Sequence, residues 1–219
     1  LATAERRGRQ DCVDTNPSSA ATWFLNNGAN GSLMLAGTNP TITVNPLGTG
    51  SFANIGARLS GYHGFTKNGT GNLILNNAAN TLFGPVVINA GNLQLNSASL
   101  SHASSVAIHA GALVVATTGA NAIGGTISFG GGTLQFNQVP GTDPSPQFST
   151  EANQPYRISV TSGKDVVFGS SLASTGGSLT KLNSGTLTLA AANTYSGGTI
   201  LSAGILNFAN PSALGSGPV

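Results

Sequence analysis

Gly71-Asn72-Leu73-Ile74-Leu75, Gly91-Asn92-Leu93-Gln94-Leu95, Gly111-Ala112-Leu113-Val114-Val115 and Gly132-Thr133-Leu134-Gln135-Phe136 are four versions of one phrase, set 20 or 21 residues apart. Each is a glycine followed by alternating apolar residues, the pattern of a short strand with one buried face. A fixed period of this length marks coils stacked into a solenoid, since a single coil cannot bury its apolar face alone. The chain therefore reads as all-β, a parallel β-helix of about 20 residues per coil and roughly nine or ten coils.

A second strand precedes each phrase at a constant offset: Val86-Val87-Ile88, Val106-Ala107-Ile108, Ile127-Ser128-Phe129 and, further on, Thr199-Ile200-Leu201 before Gly204. The corners between the two strands are small residues with glycine, such as Asn89-Ala90-Gly91 and His109-Ala110-Gly111, suited to a sharp turn. Stacked in register, Leu73, Leu93, Leu113 and Leu134 form one inward column, and Leu75, Leu95, Val115 and Phe136 the next. Gly31-Ser32-Leu33-Met34-Leu35 lies two periods before Gly71 and is predicted to join the same column, with Ile42-Thr43-Val44 as its partner strand and the solenoid starting near Trp23. An N-terminal arm over 1–20 then precedes a solenoid domain over 21–219. The spacing breaks after Phe136, where Pro140, Pro144, Pro146 and Pro155 mark an inserted loop at about 137–155, and Ile158-Ser159-Val160 and Val166-Val167-Phe168 resume the coil.

Charged residues make up only 6 % of the chain, against about 25 % in an average soluble domain. Solubility must come from Asn, Ser and Thr, while the regular Leu, Val, Ile and Phe positions argue against disorder. Six of the 14 charges fall in the first 14 residues, and from Thr15 to Thr142 only Arg58 and Lys67 carry one. Eight scattered cations make no nucleic-acid stripe. No apolar run is long enough for a membrane span, and no basic-then-apolar leader is present in these residues. Cys12 is alone, so a disulfide could form only between chains.

Two longer stretches match each other. Lys67 to Leu75 continues through Ala79-Asn80-Thr81-Leu82-Phe83-Gly84 to Ala90-Gly91, and Lys181 to Leu189 continues through Ala192-Asn193-Thr194-Tyr195-Ser196-Gly197-Gly198-Thr199 to Ala203-Gly204. This pattern resembles the autotransporter-associated β-strand repeat, or passenger-associated transport repeat. The resemblance implies a right-handed β-helix in a bacterial secreted or surface-displayed passenger, in proteins engaged in adhesion or self-association. These residues include no C-terminal outer-membrane barrel.

Polysaccharide lyases and hydrolases also use parallel β-helices, and glycoside hydrolysis needs two facing carboxylates. The only charged candidates are Asp143, Glu151, Arg157, Lys164 and Asp165, in and just after the insertion, and decorating charges on a loop are the blander account. A carbohydrate-active or sugar-binding site at 143–165 is the alternative to a non-catalytic protein. His63, His102 and His109 lack metal-ligand spacing and are expected on the surface. Gly130-Gly131-Gly132 precedes a strand and reads as a tight corner, and Asn80 and Asn193 read as loop-bonding side chains. Trp23, Tyr62, Tyr156 and Tyr195 could stack on sugars, although core or cap anchoring is the commoner role of isolated aromatics. No catalytic, cofactor-binding or metal-binding residue is assigned, and no cofactor is expected.

Leu214 to Val219 repeats the Gly84-Pro85-Val86 phrase as Gly217-Pro218-Val219, one residue into a further strand. An open parallel edge recruits another chain. The expected partner is therefore the chain itself, stacked head to tail into a filament, or more solenoid of the same polypeptide. Cell-surface or matrix glycans are a further expected partner.

Overall fold

The computed structural model describes residues 22–25, 32–46, 52–97, 99–118 and 122–219. The N-terminal arm, with Cys12 and the arginines at 6, 7 and 9, lies outside the described residues, as do Gly31 and the side chain of Trp23. The described residues contain no α-helix; a 3-10 turn covers Ser145–Gln147 and the rest of the regular structure is strand. Four sheets hold the strands. A nine-stranded sheet takes, in spatial order, β1 (Thr22–Leu25), β4 (Phe52–Ile55), β7 (Asn72–Leu75), β10 (Asn92–Leu95), β12 (Ala112–Val115), β14 (Thr133–Phe136), β15 (Pro155–Val160), β17 (Ser178–Leu182) and β19 (Thr199–Leu201). A five-stranded sheet holds β3 (Thr41–Thr43), β6 (Phe65–Asn68), β9 (Val86–Ile88), β11 (Ser105–Ile108) and β13 (Thr126–Phe129). Two three-stranded sheets hold β2 (Ser32–Met34), β5 (Arg58–Gly61) and β8 (Thr81–Leu82), and β16 (Asp165–Phe168), β18 (Thr186–Leu189) and β20 (Ile205–Phe208).

Each strand pairs in parallel with its counterpart one coil away, making a β-solenoid of about eight turns with a spacing near 21 residues. The expectation of nine or ten coils was too high because some steps are long: Thr22 pairs with Phe52, and Thr133 with Arg157, against Asn72 with Asn92 in the regular middle. The inward columns are those of the sequence. Leu73, Leu93, Leu113 and Leu134 pair in register and continue into Ile158, all fully buried. Val86 and Ile88 stack on Val106 and Ile108, which stack on Ile127 and Phe129.

A coil has three sides rather than the two expected. β5 and β8 form a short third side, continued by the bridge between Leu100 and Ile123. This corrects the placement of Gly31 to Leu35: β2 lies on that third side against β5, with Met34 68 % exposed, while Phe52–Ile55 takes the predicted place beneath β7. The forty-residue offset misled because Phe52-Ala53-Asn54-Ile55 fills the column without a Gly-x-Leu phrase. β3 pairs with β6 as the partner strand does elsewhere.

Residues 137–154 join β14 to β15. Phe148 bridges to Ile127 and is buried, its ring packed edge-on against Phe129 (5.2 Å) and Phe168 (5.1 Å) and stacked on Tyr156 (6.1 Å). This segment thus supplies core to the coil on either side of it.

Candidate functional site

The charged residues singled out in the sequence gather only partly. Asp143 and Asp165 line one shallow cleft of about 280 Å³ beside Val139, Pro140 and Val167; Glu151, Arg157 and Lys164 are not part of it. Asp143 is committed to the backbone: one carboxylate oxygen accepts from the Ser145 N–H and the other from the Gly169 N–H, both at 2.8 Å. It ties the 137–154 segment to the end of β16, a coil-to-coil staple. Lys164 donates to Gln138 Oε1 at 3.1 Å, and Asp165 and Glu151 point to solvent. Two carboxylates share a cleft, but one already has both oxygens engaged by amides, so the arrangement favours holding a loop over attacking a sugar.

The side chains that organise the coils are two lysines. Lys67 on β6 is fully buried, and its ammonium donates to three carbonyls: Asn68 at 3.0 Å, Gly69 at 2.7 Å and Ala90, in the next coil, at 3.0 Å. Lys181 on β17 is buried in the same way and donates to Leu182 (2.9 Å), Asn183 (2.7 Å) and Ala203 (3.2 Å). Three donors on one nitrogen match three inward-turned carbonyls at a corner where successive coils meet. The aliphatic stem lies in the apolar column while the head satisfies the turn. Burial lowers both amines, Lys67 to about 8. The sequence held a signal for this role: in an almost uncharged chain, a lysine stands four residues before the glycine in both long motifs.

The paired asparagines are the second device. Asn193 accepts from the Leu172 N–H at 2.7 Å and donates to the Ala213 carbonyl, so it spans three coils. Asn80 accepts from the Leu59 N–H at 2.8 Å, while its buried amide nitrogen has no partner. Other asparagines form ladders at coil spacing: Asn76 donates to Asn54, Asn89 donates to Asn68, and His109 Nδ1 contacts Asn89 at 3.0 Å. Tyr156 and Tyr195 are core anchors. The first donates to the Ser149 carbonyl at 2.8 Å and burial pushes its phenol up to about 12; the second meets Thr199 Oγ1 at 2.6 Å.

His63, His102 and His109 are exposed, as expected. Among the described residues no group of three His, Cys, Asp or Glu side chains is placed to hold a metal. Gly132 is a tight corner, where a Cβ would come within 2.4 Å of Ile108 Cγ2. Tyr62 is the described tyrosine that stays outside, 80 % exposed and stacked on Phe83 one coil away, a pairing whose only signal in the sequence is the 21-residue spacing.

The passenger-associated-transport-repeat family model matches the chain at residues 65–95 and 179–208. The chain thus carries this repeat twice, and each copy contains one lysine staple and one asparagine bridge. Searches of curated proteins and of solved structures gave no match. The repeat and the fold fit a passenger-like structural protein, and the repeat suggests a surface or secreted location. Among the described residues no helix is long and apolar enough to cross a membrane.

Proposed function

We propose that the chain is a non-catalytic structural and adhesive solenoid of the bacterial cell surface or its surroundings. It acts by extending: its last coil takes on either further coils of the same polypeptide or a second copy, stacked head to tail into a fibre. One observation carries this reading: the chain bears the passenger-associated transport repeat twice on a stack of parallel strands. In the first repeat copy Ile88, Leu93 and Leu95 are fully buried by the coil that follows, whereas the equivalent Leu201 and Phe208 in the second copy are 50 % and 61 % exposed, with Leu206 part-buried. Ile205 beside them is 53 % exposed. Core positions on the β19–β20 coil are thus still open, and a coil stacked on them would bury them as their counterparts in the first copy are buried.

Rigidity supports the structural role. Strands in the middle of the stack pair in parallel with the coils on either side, and lysine and asparagine staples lock a corner in each repeat copy. A carbohydrate-cleaving role at 143–165 is less well supported, since Asp143 is held by two backbone amides. Electron microscopy of the native assembly tests the stacking. The expected result is a fibre with an axial repeat near 40 Å for a single chain, about eight coils at ~4.8 Å each, or one uninterrupted solenoid longer than that. A monodisperse particle whose β19–β20 end is closed by some other element would overturn it.

A further inference from the structure

The outer surface of the third side carries aromatic rings that the coil does not need. Tyr62 and Phe83 stack with centroids 5.8 Å apart and planes at 18°, and Phe83 meets His102 edge-on at 5.3 Å, so three successive coils contribute one ladder. Tyr62 is 80 % and Phe83 47 % exposed, although most other described aromatic side chains are buried in the core. The ladder is held in place by the closest coil approach in this region. A Cβ on Gly84 would come within 2.2 Å of the His63 backbone, and one on Gly64 within 1.8 Å of the Pro85 carbonyl. The rings cannot drift apart without opening that corner.

The second repeat copy shows that the rings are dispensable to the fold. Where the first copy has Phe83 the second has Ser196, whose hydroxyl accepts from the Gly176 N–H at 2.8 Å, and the corner forms without an exposed ring, since Tyr195 beside it is buried. On the same two coils as the rings, Arg58 is exposed and donates one of its N–H groups to Thr81 Oγ1 at 2.9 Å, leaving the rest of the guanidinium to solvent. From Thr15 to Thr142 the sequence has no Asp or Glu, so nothing on these coils repels a carboxylate.

The geometry points to a glycan-binding site on this surface: sugar rings lie against Tyr62 and Phe83, and Arg58 pairs with the carboxylate of an acidic sugar in the same chain. A pyranose lays its polarised C–H groups on the ring surface that the stack leaves open, larger on Tyr62 than on Phe83, and a guanidinium forks onto a carboxylate. Arg58 and Tyr62 are four residues apart, about 13 Å at strand rise, so the ligand is an oligosaccharide several units long running along the coil. The adhesive part of the proposed function gains a location from this site, whereas coil stacking is independent of it.

Affinity gel electrophoresis of the whole chain tests the site, with polygalacturonate as the acidic probe and dextran as the neutral one, and circular dichroism to check folding. The expected result is retardation by polygalacturonate and not by dextran. Tyr62→Ala, Phe83→Ala and Arg58→Gln should each raise the dissociation constant at least about tenfold, while Val167→Ser, an exposed apolar residue several coils away in the β16–β18–β20 sheet, leaves it unchanged. No retardation by polygalacturonate, or retardation that survives both ring substitutions, overturns the site; equal retardation by dextran overturns the acidic assignment. Ile205→Ser with Phe208→Ser should abolish stacking and keep retardation, which separates failure of this site from failure of the fibre.

Discussion

The two copies of the transport repeat share their corner chemistry and differ in where they sit. In the first, the lysine strand β6 belongs to the five-stranded sheet and the following β7 to the nine-stranded one. In the second, the lysine strand β17 lies in the nine-stranded sheet and the following β18 in a three-stranded sheet. Between them the solenoid has shifted by one side of the coil, across the 137–154 segment. The repeat therefore does not specify a face. It specifies a corner, in which a buried ammonium gathers three carbonyls and an asparagine ties one coil to the next, and this corner works on any side of the stack.

Breaking the corner glycines should have the largest effect. Gly84→Ala drives a Cβ into the His63 backbone at 2.2 Å, and Gly197→Ala meets the Gly176 carbonyl at 2.6 Å. Each should lower stability by about 3 kcal/mol or more in urea unfolding, with Gly84 the more damaging because backbone blocks it more closely. Next come the staples. Lys67→Met and Lys181→Met each remove three hydrogen bonds to carbonyls, although the Asn68 carbonyl keeps the Val44 N–H, and a loss of about 2–3 kcal/mol is expected, offset in part by removing a buried charge. If both substitutions are neutral, the corner account fails.

The lysines also sharpen the comparison through pH. The Lys67 amine is lowered from 10.5 to about 8 in the folded chain, so between these values the unfolded chain binds more protons. Below pH 8 the cost of burying the ammonium is fully present. It is relieved as pH rises towards the unfolded value, so the Lys67 contribution to stability should increase from pH 8 to about 10. The melting-temperature difference between the native chain and Lys67→Met, followed over that range, should change in this direction and then level off.

A smaller difference separates the asparagines. Asn193→Ala orphans both the Leu172 N–H and the Ala213 carbonyl, and about 2 kcal/mol is expected. Asn80→Ala orphans only the Leu59 N–H and removes an amide nitrogen already without a partner, so about 1 kcal/mol is expected. Smallest of all, Ile205→Ser and Phe208→Ser should shift the stability of the single chain by no more than about 0.5 kcal/mol, being exposed.

Much of this architecture was legible because strand alternation and coil period repeat together. Leu73, Leu93, Leu113 and Leu134 could be put in one column from spacing alone, and Ile158 and Val166 correctly resumed the coil. Phe52–Ile55 was missed because its column position carries no glycine phrase, and Met34 was misplaced because its own phrase falls on a side of the coil where little is buried. The shift between repeat copies was invisible for a related reason: side chains report inward or outward, and all three sides share that alternation. Phe148 and its ring contacts lie in a proline-rich stretch whose composition says loop, and only the three-dimensional path shows it filling core. The exposed pair of Tyr62 and Phe83 was in plain view at one coil's spacing, but exposure is a property of the folded chain and not of the pattern.

The shift of the repeat by one side turns on which strand lies next to β14. With Cys12→Ser removing the native thiol, Thr133→Cys can be combined with Arg157→Cys on β15, or with Asp165→Cys on β16. Thr133 and Arg157 are register partners in adjacent parallel strands, about 4.8 Å apart and within the span that a disulfide bridges. Mild oxidation should cross-link the 133–157 pair rapidly within a single chain and leave the 133–165 pair reduced. Cross-linking of 133 to 165 with 133–157 left open would place β16 beneath β14 and contradict the claim.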